Sequence, residues 1–221
     1  MKILQVGSFH YYPAWFSQTR AWVNKKSEVD GLVVTGNMCN LLRPTGAQAD
    51  QSIAIKDWIG SLRCPVFYAP GGWDPQGMED WELPNLHLCG EHVFAGWRIH
   101  VMSAFARCEE IQPTTSQTII VSHHPPALTR CAVGPDGTHY GRMDVREAVA
   151  TAGDCRLVLC GHVMDPLSQI DWCENAMVIN VGASFWEHEP HDAPAFAMID
   201  TDTRSVTVDN GRRLASHSFA R

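Results

Sequence analysis

The chain has 221 residues, of which 45% are hydrophobic and 19% charged, and its formal net charge is -7. That length suits one domain with a core of its own, and the composition excludes intrinsic disorder. The acidic balance excludes non-specific nucleic-acid binding, which needs a basic surface, and no apolar run reaches membrane-spanning length.

Met1-Lys2 leads directly into an apolar stretch, so no signal peptide is expected. The 8 cysteines stand at 39, 64, 89, 108, 131, 155, 160 and 173, with no Cys-x-x-Cys pair. Reduced thiols and a cytoplasmic location are the expectation.

Short apolar runs alternate with helical stretches, the signature of βαβ units. Residues 3–6 read as a first strand, followed by the loop Gly7-Ser8-Phe9-His10 and a helix over about 14–26. Residues 31–35 form a second strand that ends in Gly36-Asn37. A helix over about 48–62 follows, although Ile53 and Ile55 together blur its period. Residues 66–69 make a third strand, ending in the turn Pro70-Gly71-Gly72-Trp73-Asp74.

Stretches 92–95, 99–102 and 118–122 read as extended, the last running into His123-His124-Pro125-Pro126, where the prolines end regular structure. A helix over about 142–152 precedes the strand 157–160 and the turn Gly161-His162-Val163-Met164. Residues 176–180, 195–199 and 206–208 complete the β structure, with a polar turn at 200–204. No repeat or linker interrupts the chain, so 1–221 reads as a single domain.

Each polar cluster falls just past the C-terminal end of an apolar strand, where ligand crevices of open α/β sheets lie. Ser8, His10, Asn37, Trp73, Asp74, His123 and His162 are therefore expected to converge.

The ordered segments Ser8-Phe9-His10, Gly36-Asn37, Gly71-Gly72-Trp73-Asp74, Ser122-His123-His124-Pro125-Pro126 and Gly161-His162-Val163-Met164 resemble the motif series of the calcineurin-like metallophosphoesterases. In that family the series is Asp-x-His, Gly-Asp, Gly-Asn-His-Asp/Glu, a His-containing loop and Gly-His-x-His. Residues 179–184 resemble the segment that follows the last motif, and the likeness runs from residue 3 to about 208. It implies a four-layer α/β/β/α sandwich, with two mixed sheets flanked by helices. It also implies two divalent metals that activate water against a phosphate ester, clamping the attacking and leaving oxygens.

The chain departs from the family at the ligands. The first Asp is Ser8, the bridging Asp is Asn37, the third motif's Asn and His are Gly72 and Trp73, and the last His is Met164. Without a carboxylate at any of these positions, two adjacent dications lack compensating charge, at a cost of several kcal/mol per ion. A thioether such as Met164 suits copper(I) rather than magnesium or manganese.

The expectation is a pseudo-phosphoesterase without the dinuclear centre, acting as a binding, scaffold or regulatory subunit with a protein partner. The resemblance extends to a retromer subunit and to DNA-polymerase small subunits, which serve assembly. In this reading His10, His123, His124 and His162 line a vestigial pocket with Ser8, Asn37, Gly72, Trp73, Asp74 and Met164. Trp73 packs with Phe9 and Tyr11 to close the cleft, and Asp74 stabilises its loop.

The alternative is a phosphoesterase with one divalent ion (zinc, manganese or iron) on His10, His123 and His162, supported by Asn37. A third reading is metal-free binding of a nucleotide or other phosphate-containing ligand, with Trp73 as a stacking face. The stretch Glu187 to Asp192 is metal-like in composition but reads as a solvated turn.

Overall fold

The computed structural model describes residues 1–25, 28–42, 45–103, 111–183, 185–186, 189–190, 194–209 and 214–219. Three apolar runs become the parallel strands β1 (Lys2–Val6), β2 (Gly31–Val34) and β3 (Val66–Tyr68). They are apolar on both faces because both are covered, as parallel sheets require. Helix α1 (Pro13–Asn24) opens with Pro13, whose fixed φ suits a first turn, and buries Trp15, Phe16, Thr19 and Val23. Helix α2 (Thr45–Gly60) buries Ile55, Trp58 and Ile59, whereas Ile53 is exposed, which explains the blurred period.

Next come β4 (Leu86–His87), β5 (Gly90–Phe94), β6 (Trp97–Met102) and β7 (Thr114–Ser122). Helix α3 (Met143–Thr151) leads to β8 (Gly153–Cys160), β9 (Ile170–Cys173) and β10 (Ala176–Asn180). A two-stranded ribbon, β11 (Phe185–Trp186) and β12 (Glu189–Pro190), precedes β13 (Phe196–Asp200), β14 (Ser205–Asp209) and β15 (Leu214–Ser218).

The strands form a seven-stranded sheet, β15-β14-β13-β1-β2-β3-β4, and a six-stranded sheet, β5-β6-β7-β8-β10-β9. Both mix parallel and antiparallel pairs. The core between them joins Ile3, Val33 and Phe67 of one sheet to Ile99, Val121, Leu159 and Ile179 of the other. On the outer face of the first sheet, Leu4, Val6, Leu32 and Tyr68 pack with Phe9 of the loop after β1 and against α1 and α2 through Trp15, Trp58 and Ile59. On the outer face of the second, Ile120, Val158 and Val178 pack against Val145, Ala148 and Val149 of α3. The order of layers is helix, sheet, sheet, helix. Each fully buried aliphatic or aromatic side chain contributes about 1.5–3 kcal/mol to holding it.

Buried Gln5 pins the sheets together, its Nε2 donating to the carbonyls of Cys160 (2.9 Å) and Ile179 (3.3 Å). Val6, Val34 and Tyr68 stand level across the first sheet. Val121 stands level with Leu159, and Cys160 with Asn180, in the second. The loops after these strands therefore open on one end of the sandwich.

Several expected boundaries shift. The eighth strand starts at Gly153 rather than 157, and the seventh at Thr114 rather than 118. Both first segments are polar and half-exposed, so they carry no apolar signal. Strands β4, β9 and β15 were not foreseen, being short, polar or at sheet edges. Helix α1 ends at Asn24, and residue 26 of the expected span lies outside the described residues.

The expectation of reduced thiols is corrected at Cys89, which is disulfide-bonded. Cys39, Cys64, Cys131, Cys155, Cys160 and Cys173 are free and buried, and Cys108 lies outside the described residues. Of the polar stretch after the tenth strand, Glu187, His188, His191 and Asp192 also lie outside them. Among the described residues no helix is long and apolar enough to cross a membrane.

Candidate functional site

Main-chain bonds join the loop that leaves β1 to the one that leaves β2, and the loop that leaves β8 to the one that leaves β7. Ser8 N–H donates to the Gly36 carbonyl (2.8 Å), and His10 N–H to that of Asn37 (3.1 Å). Gly161 N–H reaches the His123 carbonyl at 3.0 Å. Ser8 (φ 51°), His10 (φ 47°), Asn37 (φ 55°) and His162 (φ 67°) occupy the left-handed region. Asn tolerates that conformation; for the other three it costs of order 1–3 kcal/mol each, and such strain concentrates at functional sites.

Asp74 organises the second and third loops. Its Oδ2 accepts the N–H groups of Asn37 (2.7 Å) and Gly71 (2.8 Å), and its Oδ1 accepts that of Met38 (2.7 Å). Burial raises the Asp74 carboxyl above its usual range, while these backbone donors pull it down. Asn37 Oδ1 in turn accepts Trp73 N–H at 3.2 Å, so the amide that replaces the bridging carboxylate is engaged locally.

His123 is almost fully buried, and its Nδ1 lies 2.7 Å from the Thr35 carbonyl oxygen. Because a carbonyl only accepts, Nδ1 carries the proton and Nε2 keeps its lone pair. That Nε2 lies 3.1 Å from His162 Nδ1, whose proton completes a relay from His162 through His123 to Thr35. The His124 ring sits 4.2 Å from that of His162 and 4.9 Å from that of His123, centroid to centroid. One nitrogen from each of His123, His124 and His162 falls within a 4.8 Å group.

Burial lowers all these imidazoles. His10 falls to about 4, and His162 to about 4 with His123 as a further cause. His123 falls to about 4, with His10 adding to burial and the Thr35 carbonyl opposing it. His124 falls to about 3, through burial, then its two histidine neighbours and Arg142, with Asp144 opposing. At neutral pH the four rings are uncharged.

Beside this cluster, His10, Asn37, Trp73, Tyr140, His162 and Met164 line a cleft of about 270 Å³, together with Asp165. Trp73 meets His10 edge-on, with centroids 4.7 Å apart at 89°. This corrects the expected packing of Trp73 on Phe9 and Tyr11. Phe9 instead contacts Trp15, Phe16 and Trp58, and Tyr11 contacts Phe16. His10 stands outside the three-histidine group, and its Nε2 is buried without a hydrogen-bond partner, as is Ser8 Oγ. A Cβ at Gly72 would meet nothing within 4 Å.

Thr35, Tyr140 and Asp165 were missed by the sequence reading. Asp165 directly follows the Met164 of the last motif, and an acidic residue there was the one available signal. Thr35 acts through its carbonyl, which any residue supplies, and Tyr140 arrives from a loop with no motif.

No family profile and no curated protein matches the chain. Solved structures do. The chain is similar to a dimetal phosphatase from Danio rerio, with TM-score 0.63 and 11% identity over 100% of this chain and 99% of that one. It is also similar to YfcE, a phosphoesterase from E. coli, with TM-score 0.52 and 12% identity over the whole of both chains. A Vps29 mutant from Entamoeba histolytica gives TM-score 0.51 and 14% identity, again over the whole of both chains. At such identities the likeness establishes the fold alone: this chain has the two-sheet α/β/β/α sandwich of those structures.

The residues present do not fit the two metals of that fold. The ligand positions offer a buried hydroxyl, an engaged amide, a glycine, an indole and a thioether. None of these five positions supplies a carboxylate to offset the mutual repulsion of two dications.

Proposed function

We propose that this protein, taken as one domain over 1–221, keeps the phosphoesterase fold without its dinuclear hydrolytic centre and serves as a binding or regulatory subunit. The observation that carries this reading is the Trp73 ring set edge-on against His10 at 4.7 Å. An indole at the leaving-group imidazole's position neither ligates a metal nor donates a proton as an acid. It occupies space beside the first metal's surviving histidine, while the main-chain N–H of Trp73 holds the Asn37 side-chain oxygen at 3.2 Å.

The partner is proposed to be a protein, as for the family relatives that serve assembly. A phosphate-containing small molecule is a weaker candidate for the cleft, because its two imidazoles, His10 and His162, are neutral and Asp165 lines it.

The test is hydrolysis of bis-p-nitrophenyl phosphate by tag-free protein supplied in turn with manganese, zinc and iron. No turnover above a metal blank is expected. Manganese-dependent turnover that disappears in His123→Ala would overturn the reading.

A further inference from the structure

We infer that His123, His124 and His162 form a binding site for a single zinc ion, displaced from the family's metal positions by the recruitment of His124. The three ligand nitrogens already lie within 4.8 Å of one another, and the His123 Nε2 to His162 Nδ1 distance is 3.1 Å. Nitrogens on one four-coordinate zinc, each about 2.0–2.1 Å from the ion, stand roughly 3.4 Å apart. One pair is therefore nearly at ligand spacing, and the third imidazole has up to about 1.4 Å to close.

The surroundings hold the set as ligands. His123 donates Nδ1–H to the Thr35 carbonyl at 2.7 Å, the outer bond that orients a metal-binding imidazole and leaves Nε2 free to coordinate. Gly36 and Gly71 let the backbone close around that ring, since a Cβ on either would lie within 2.8 Å of it. His162 is held at φ 67°, so its ring reaches the group from a strained backbone. His124 is fixed from behind by Ser122, whose Oγ donates to the His124 carbonyl at 2.6 Å.

The chemistry of the set selects the ion. Three neutral nitrogens suit zinc, whereas magnesium and manganese favour oxygen donors. A three-histidine zinc site keeps a fourth position open for water or another ligand. His162 also lines the 270 Å³ cleft, which places one ligand of the set at the edge of a space that a small molecule can enter. Nothing in this arrangement requires His10, Asn37 or Met164.

The test uses tag-free full-length protein stripped with chelator and titrated with zinc against a chromophoric competitor. One equivalent should bind. His124→Ala and His162→Ala should each weaken binding about 100-fold or more, while His10→Ala should leave it within a few-fold. Absence of stoichiometric zinc binding overturns the inference. So does a site lost in His10→Ala but kept in His124→Ala, which would return the ion to the family position.

Should a histidine variant fail to fold, cobalt(II) titrated into the unmutated protein replaces it. Intense visible bands of a four-coordinate ion support the site, and weak octahedral bands overturn it. Hydrolysis measured in the zinc-loaded sample separates this inference from the proposed function. Turnover there would remove the binding-subunit reading and leave the zinc site standing; missing zinc would do the reverse.

Discussion

The Nδ1–H of His123 is bonded to the carbonyl oxygen of Thr35 at 2.7 Å, so one hydrogen bond joins the end of the second strand to the end of the seventh across the two sheets. Thr35 is itself enclosed: a Cβ at Gly7 or Gly161 would lie 2.3 or 2.7 Å from its Oγ1. The site is thus assembled by close backbone approach, and glycines make that approach sterically open.

Gly71→Ala should therefore be costly where Gly72→Ala is not. At Gly71 the new methyl would meet His123 Cε1 at 2.4 Å and Asn37 Oδ1 at 2.5 Å; at Gly72 it meets nothing within 4 Å. Overpacking of this kind costs about 1–3 kcal/mol, whereas the neighbouring change should stay within about 0.5 kcal/mol of the parent. Urea unfolding of the two variants compares them directly. Equal midpoints would show that the His123 ring is free to move aside.

Asp74→Ala should be among the most destabilising single changes in these loops. It leaves the buried N–H groups of Asn37, Met38 and Gly71 without their acceptor. Each unsatisfied donor costs about 1–3 kcal/mol, so a total loss of about 3 kcal/mol or more is expected. Chemical denaturation measures it, and a loss below about 1 kcal/mol would mean that water reaches the loop.

Stability of the chelator-treated protein should fall in mild acid. Burial lowers His10, His123 and His162 from 6.5 to about 4, and His124 to about 3. The unfolded imidazoles protonate near 6.5, so below that pH the unfolded chain binds more protons than the folded one. The stabilisation is complete above about 6.5 and is lost progressively as the pH falls toward about 4. Urea midpoints between about pH 5 and 8 should be flat at the upper end and drop below 6.5. A midpoint unchanged down to pH 5 would show that these rings titrate as if exposed.

Restoring the family's residues tests the missing charge directly. Ser8→Asp, Asn37→Asp, Gly72→Asn, Trp73→His and Met164→His combined should raise manganese binding from none to about two equivalents, read by metal analysis. Asn37→Asp alone should not, because a single carboxylate leaves most of the ligand positions neutral. Two equivalents in the unmodified protein would refute the argument from charge.

The sequence alone determined the sandwich and the end of it that matters. Doubly apolar runs such as 31–35 and 157–160 are buried on both faces, and motif loops after such runs must open on the strand ends. It also put neutral side chains, Ser8 and Asn37, at positions where the motif series it resembles has carboxylates. Strands such as Leu86–His87 and Ile170–Cys173 escaped, since short edge pieces carry their signal in partners rather than in their own pattern. Only the tertiary structure decided that Trp73 turns to His10 and that His124 joins His123 and His162 in place of His10. The reason is physical: spacing along a chain sets which loop a ring belongs to, but its direction is set by backbone torsions such as φ 67° at His162 and by hydrogen bonds such as His123 to Thr35. Both exist only once distant loops have packed together.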